Sequence, residues 1–211
     1  MNMVLIAGVD EAGKGPVLGP MMVAGVVMQE ECLNELNKLG VKDSKLLSAT
    51  RRNYLSSKIK ELANSYYILE VSARQIDEFR KIMTMNQIMV LSHANVLDQL
   101  KPNIAYLDAA DVKEDRFGEN VKKKCCFSID VVSKHKADTK YPIVSAASIL
   151  AKSHRDRAMR DLEKIIGVPL GSGYPSDPVT KRFLADWIRE HKSFPEIVRH
   201  SWKTTENLLN L

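Results

Sequence analysis

A chain of 211 residues, 45% of them hydrophobic, can bury one substantial core but is short for two full domains, and its apolar runs all stop below membrane-spanning length. Three cysteines, Cys32, Cys125 and Cys126, two of them adjacent, exclude a disulfide framework and offer no zinc spacing, so reduced thiols in or near the core are expected. The 31 Lys and Arg against 26 Asp and Glu give a net charge of +5, which suits an anionic partner without requiring one.

Residues 4–9 are apolar and read as a buried strand ending on two adjacent carboxylates, Asp10 and Glu11. No basic region precedes this run and it breaks at Asp10, so no secretory signal and a cytoplasmic location are expected. Gly13, Gly15 and Gly19, interleaved with Lys14, Pro16 and Pro20, make a loop, and residues 21–28 return as a strand. The connection is too short for a crossover helix, so the two strands should be antiparallel and the sheet mixed. Residues 30–39 suggest a short helix, and 41–46 a polar loop carrying Lys42 and Lys45. Ser48 caps a helix over 49–64, and residues 66–71 form another strand. Residues 85–100 have helical spacing, with Ile88, Leu91, Asn95, Val96 and Leu100 along one side, and Pro102 stops them.

Residues 103–108 read as a strand ending on Asp108. A charged helix follows at 113–124, then a strand at 125–132 and a basic loop, Ser-Lys-His-Lys-Ala-Asp, closed by Asp138. Residues 142–166 form a long helix whose first turns are small enough to lie close against a sheet. Composition changes at Gly167, so a main domain over 1–166 and a small helical segment over 167–211 are expected. In that segment a glycine-rich loop with Tyr174 leads to Asp177 as N-cap, with Pro178 opening a helix to about His191.

Residues 8–15 nearly match the phosphate-binding loop G-x-x-x-x-G-K-[ST]. The final hydroxyl is replaced by Gly15, two acids sit where phosphates belong, and prolines follow instead of a helix. A nucleotide hydrolase is therefore the weaker alternative. Asp10, Glu11, Asp108 and Asp138 fall where a sheet can gather them, and hard oxygen ligands suit Mg2+ or Mn2+. Two such ions at phosphodiester distance can orient a water, stabilise the pentavalent state and neutralise the leaving oxygen, with no need of a serine or cysteine nucleophile. Lys14, Lys45, Lys134, His135 and Lys136 would then hold phosphates.

The motifs GVDEAGKGPVLGP, KDSKLL, YLDAADV, SKHKAD, VSAASILAKSHRDR, GSGYPSDPVT and VRHSWKT occur in order over nearly the whole chain. In these the sequence resembles ribonuclease HII, most closely its archaeal form. The resemblance implies a ribonuclease H-like fold, a mixed five-stranded sheet flanked by helices, with a C-terminal helical segment that helps clamp substrate. It implies an endonuclease that uses Mg2+ or Mn2+ to cut the RNA strand of RNA–DNA hybrids and lone ribonucleotides in duplex DNA, leaving 3′-hydroxyl and 5′-phosphate ends. The family's catalytic acids map onto Asp10, Glu11, Asp108 and Asp138, its ribonucleotide-sensing loop onto Gly13, Lys14 and Gly15, and its sugar-contacting tyrosine onto Tyr174. The family's loop usually reads Gly-Arg-Gly, and Lys14 keeps the charge but loses the planar fork. A non-catalytic hybrid-binding module is the other alternative, and loss of an acid would mark it; all four are present. A monomer is expected. The tail 204–211 lacks aromatic residues and any obvious clamp-binding motif, which leaves a sliding-clamp contact undetermined.

Overall fold

The computed structural model describes residues 4–41 and 47–209, so Lys42 and Lys45 lie outside the described residues. Strands β1 (Leu5–Ala12), β2 (Met21–Gln29), β3 (Ser65–Val71), β4 (Ile104–Asp108) and β5 (Asp130–Lys134) form one sheet in the order β3-β2-β1-β4-β5. β1 runs antiparallel to β2 and parallel to β4, and β4 runs parallel to β5, so the sheet is mixed. β1 continues through both acids, pairing Asp10 with Ala24 and Glu11 with Val23. The expectation that they follow the strand is corrected: β2 stays apolar and in register to Met22, and the ladder continues with it.

A 3-10 turn (Glu30–Cys32) leads into α1 (Leu33–Leu39). Then come α2 (Ala49–Leu62), α3 (Ala73–Arg80), α4 (Met85–Leu100), α5 (Glu114–Lys124), α6 (Ala137–Lys140), α7 (Pro142–Ile166), α8 (Pro178–His191) and α9 (Lys203–Leu209). Ser48 caps α2 and Asp177 caps α8, each accepting a main-chain N–H of the first turn. α3 escaped the sequence reading although Ser72 and Gln75 form a capping box there. β5 begins later than expected. Cys125 N instead closes α5 on Val121 O, and Cys126 N donates to Asp98 Oδ1 at 2.8 Å, which takes both residues out of the ladder. Cys32 and Cys126 are exposed thiols, not core ones.

The chain packs as two compact units. One holds residues up to Ala12, Met22–Leu69 and Met85–His154; the other holds Gly13–Met21, Glu70–Thr84 and the chain from Arg155 on. The division therefore falls inside α7, at Arg155, and not at Gly167.

In the first unit, strand alternation sends Gly8 and Asp10 to the face covered by α7, and Val9 and Glu11 to the face covered by α4. A Cβ on Gly8 would overlap the Ile143 main chain, and one on Gly25, the partner of Val9, would meet Val96 and Leu100. The buried stripe of α4 is Ile88, Met89, Ser92, His93, Val96 and Leu97, whereas Leu91 is 41% exposed. Two polar residues within the stripe disguised its phase. Because Gly8 lets main chain lie on main chain, Gly8→Ala should cost about 3 kcal/mol or more of unfolding free energy, read from denaturant midpoints.

The second unit has its own core of Val17, Leu18, Met159, Leu170, Phe183, Leu184, Phe194 and Val198. Within it the segment after Gly15 is tied by main-chain bonds. Val17 N donates to Gly173 O, Gly19 N to Ile197 O and Arg199 N to Val17 O, each at 2.8 Å.

Candidate active site

Asp10 is 5% exposed on the α7 face. The Glu11 N–H donates to its Oδ1 at 2.7 Å, and the Ser148 side chain hydrogen-bonds it from α7. Parallel pairing ends at Val9 with Leu107, so the next residue of each strand, Asp10 and Asp108, stands at the same level. Burial first, and the Asp108 charge second, push Asp10 from 3.8 up to about 7; Ser148, the Glu11 amide and Lys152 oppose this.

Asp108 closes β4 and its Oδ1 accepts the Ala137 N–H at 2.8 Å. That bond draws the start of α6 onto the end of β4 and sets the next residue, Asp138, buried at 7% exposure, beside it. Asp138 lies in this single-turn helix and not in an open loop. Lys136, at φ 55°, turns the chain into it.

Glu11 faces α4, where His93 Nε2 lies 3.7 Å from its Oε2. His93 is fully buried, donates from Nδ1 to Met89 O at 2.9 Å and packs T-shaped with the Phe117 ring, with centroids 5.1 Å apart. Sequence reasoning missed His93, Ser148 and Lys152. A histidine in the apolar stripe of a helix was the one available signal.

The expected phosphate contacts differ in their surroundings. Lys134 is engaged by Glu114 at 2.7 Å and lies 3.7 Å from Asp115. His135 donates its N–H to Glu114 and bonds through Nε2 to Val112 O at 3.1 Å. Lys136 is exposed. Lys45 lies outside the described residues.

In the second unit, Gly13, Lys14 and Gly15 are bonded by Arg199 and Trp202, two further residues that sequence reasoning left without a role. Burial, and secondarily the Arg155 cation, bring Arg199 down to about 9, so it stays charged at neutral pH. Tyr174 is 44% exposed; a Cβ on Gly15 would stand 3.6 Å from its Cε1. The Arg155 guanidinium lies 5.9 Å from the Tyr174 ring centroid and bonds Leu18 O, Pro20 O and Ser172 O. No helix follows Lys14, so the phosphate-loop alternative lacks the dipole it needs.

Among the described residues, no three Asp, Glu, His or Cys side chains converge as a ready metal cage. The donor chemistry nevertheless fits a hard divalent cation: the nearest donors are carboxylate oxygens, and burial with a like charge makes the Asp10 anion costly without one. This has a pH consequence. The folded protein keeps the Asp10 proton up to about pH 7, while the unfolded chain loses it near 3.8. The folded state thus binds more protons in between, and the contribution of Asp10 to metal-free stability is lost as pH rises through that window. Between about pH 5 and about pH 8 in chelator, Asp10→Asn should gain melting temperature relative to the unmutated protein, and added Mg2+ should narrow the gap.

A central antiparallel pair, parallel strands beyond it and acids at their shared end define a ribonuclease H-like nuclease. The family model described as Ribonuclease HII matches residues 7–205. A ribonuclease HII of Methanosarcina barkeri is 52% identical, covering 97% of this chain and 95% of that one; one of Thermococcus sibiricus is 49% identical, covering 96% and 90%. The crystal structure of the ribonuclease H2 from Pyrococcus horikoshii superposes with a TM-score of 0.92 at 41% identity, covering 98% of each chain. The RNase HII solved as a PCNA complex from Archaeoglobus fulgidus gives 0.88 at 42%, covering 95% and 96%. The chain belongs to the ribonuclease HII family and is an endoribonuclease that cleaves the RNA of RNA–DNA hybrids.

Proposed function

We propose that the enzyme cuts at lone ribonucleotides in duplex DNA as well as in longer hybrids, leaving 3′-hydroxyl and 5′-phosphate ends. The observation that carries this reading is the Asp10–Asp108 level in the parallel sheet, with Asp138 drawn onto Asp108 by the Ala137 N–H. Asp10, Glu11, Asp108 and Asp138 would hold Mg2+ or Mn2+. Bound there, such ions supply positive charge to the attacking water and to the leaving 3′ oxygen. Ser148 fixes the direction of Asp10, and His93 flanks Glu11 from α4. Lys14, Lys45, Lys134, His135 and Lys136 meet phosphates, while Gly13, Lys14, Gly15 and Tyr174 read the ribose. The enzyme acts as a cytoplasmic monomer. The test is a labelled duplex with one ribonucleotide, incubated with Mg2+, Mn2+ or chelator. Cleavage only with a divalent cation, to the stated ends, supports the reading; cleavage in chelator, or none with either ion, overturns it.

The basic residues make a separate prediction. Log affinity should fall linearly with log salt, and Lys14→Ala and Lys136→Ala should each flatten the slope by about one unit or less. Lys134→Ala should flatten it less than Lys136→Ala, since Glu114 already holds that ammonium. Titrations at several salt concentrations check this, and a slope unmoved by any of the three makes the surface a solvated face.

A further inference from the structure

The loop at residues 13–15 offers a ligand its main chain and one lysine, so the direction of that main chain decides what it can recognise. All three of its carbonyls are taken up by donors from the far end of the chain. Arg199 Nη2 donates to Gly13 O at 2.6 Å, Arg199 Nη1 to Lys14 O at 2.9 Å and Trp202 Nε1 to Gly15 O at 3.1 Å. The same guanidinium donates through Nε and Nη2 to Gly19 O at 3.2 and 3.0 Å, holding the start and the end of the segment together. Arg199 is fully buried, and the Trp202 ring centroid lies 4.8 Å from its central carbon.

The holder is itself held. Asp77 accepts from His200 N, Ser201 N and Ser201 Oγ at 2.7, 3.0 and 2.7 Å, and Thr205 Oγ1 donates to Arg199 O at 2.7 Å. In a trans peptide the N–H points opposite to the C=O. Fixing the Gly13 and Lys14 carbonyls therefore aims the Lys14 and Gly15 N–H groups away from Arg199; Pro16 contributes no N–H after Gly15.

We propose that Arg199 and Trp202 are positioning residues for ribonucleotide selectivity, fixing the main chain of residues 13–15 so that recognition runs through its amides and not through the side chain at position 14. This rests on the reading above that the loop meets the ribonucleotide. Lysine in place of the family's usual arginine then leaves selectivity intact, because the clamp grips the main-chain carbonyls of the loop.

The experiment measures, in an Asp10→Asn background that blocks cleavage, the Kd ratio between a duplex with one ribonucleotide and the same all-DNA duplex, for Trp202→Phe, Arg199→Lys and Lys14→Ala, with melting curves for each. Trp202→Phe removes the indole N–H and its bond to Gly15 O while keeping a smaller aromatic ring, so the ratio should fall severalfold, up to about tenfold, the scale of one such bond. Arg199→Lys should lower it further. Lys14→Ala should weaken both duplexes alike and leave the ratio unchanged. A folded Trp202→Phe with an unchanged ratio, or a ratio lost with Lys14→Ala alone, overturns the proposal. If the Asp10→Asn parent does not prefer the ribonucleotide at all, the reading of the loop itself fails, and this role with it.

Discussion

Asp10→Asn is expected to abolish cleavage while leaving an RNA–DNA hybrid bound nearly as tightly as before. The amide has the shape of the carboxylate but not its charge. It can keep the Ser148 bond and the Glu11 N–H bond that orient the side chain. What it loses is the anionic oxygen at the level of Asp108, where a divalent cation would be shared. Losing one shared ligand costs several kcal/mol of transition-state stabilisation, so a fall of 10³-fold or more is expected, roughly 4 kcal/mol or above. Binding should survive, because a negative charge near the substrate phosphates is removed. Single-turnover rates and a hybrid Kd, measured on the same preparation, check both halves. A variant that cuts at the unmutated rate takes Asp10 out of the mechanism.

Tyr174 carries the second large effect. Telling RNA from DNA means detecting one 2′-hydroxyl, which can donate and accept. The phenol stands exposed beside Gly15, with a flat face for a sugar and a hydroxyl for a hydrogen bond, and the Arg155 guanidinium lies behind the ring at 5.9 Å. Tyr174→Ala should lose most of the activity on a lone ribonucleotide. Tyr174→Phe keeps the face and should lose only about 0.5–1.5 kcal/mol, up to roughly tenfold in rate. Rates of both variants on a single-ribonucleotide duplex and on a long hybrid check this. An alanine variant that cuts both substrates normally makes the tyrosine a loop residue only.

What the sequence made legible was local. Glycines and prolines marked the return from β1 to β2, and Pro102, Asp177 and Pro178 marked helix ends because they act on the adjacent backbone. Asp10, Glu11 and Asp108 stood out because each follows or ends an apolar run, and Asp138 because it closes a basic loop just before the long helix. Side-chain partners were not legible. Ser92 and His93 interrupt the apolar stripe of α4, so its phase was misread through Leu91, and the approach of His93 to Glu11 depends on the sheet face that α4 covers. The donors to the Gly13 and Lys14 carbonyls come from Arg199, 186 and 185 residues further on, and no local pattern reports a contact of that range. For the same reason composition placed a boundary at Gly167, whereas the second unit gathers three separate segments.

That Asp10, Glu11, Asp108 and Asp138 act together on one divalent-cation site is most directly tested by cleavage of one labelled single-ribonucleotide duplex by the four separate Asp→Asn or Glu→Gln variants, each assayed with Mg2+, with Mn2+ and in chelator, alongside substrate affinity. The expected result is severe loss of cutting in every variant with substrate still bound, no cutting by any form in chelator, and a partial return with excess Mn2+ that is larger for Asp138→Asn than for Asp10→Asn. Normal turnover by any one of the four variants, or cutting in chelator by the unmutated enzyme, would contradict it.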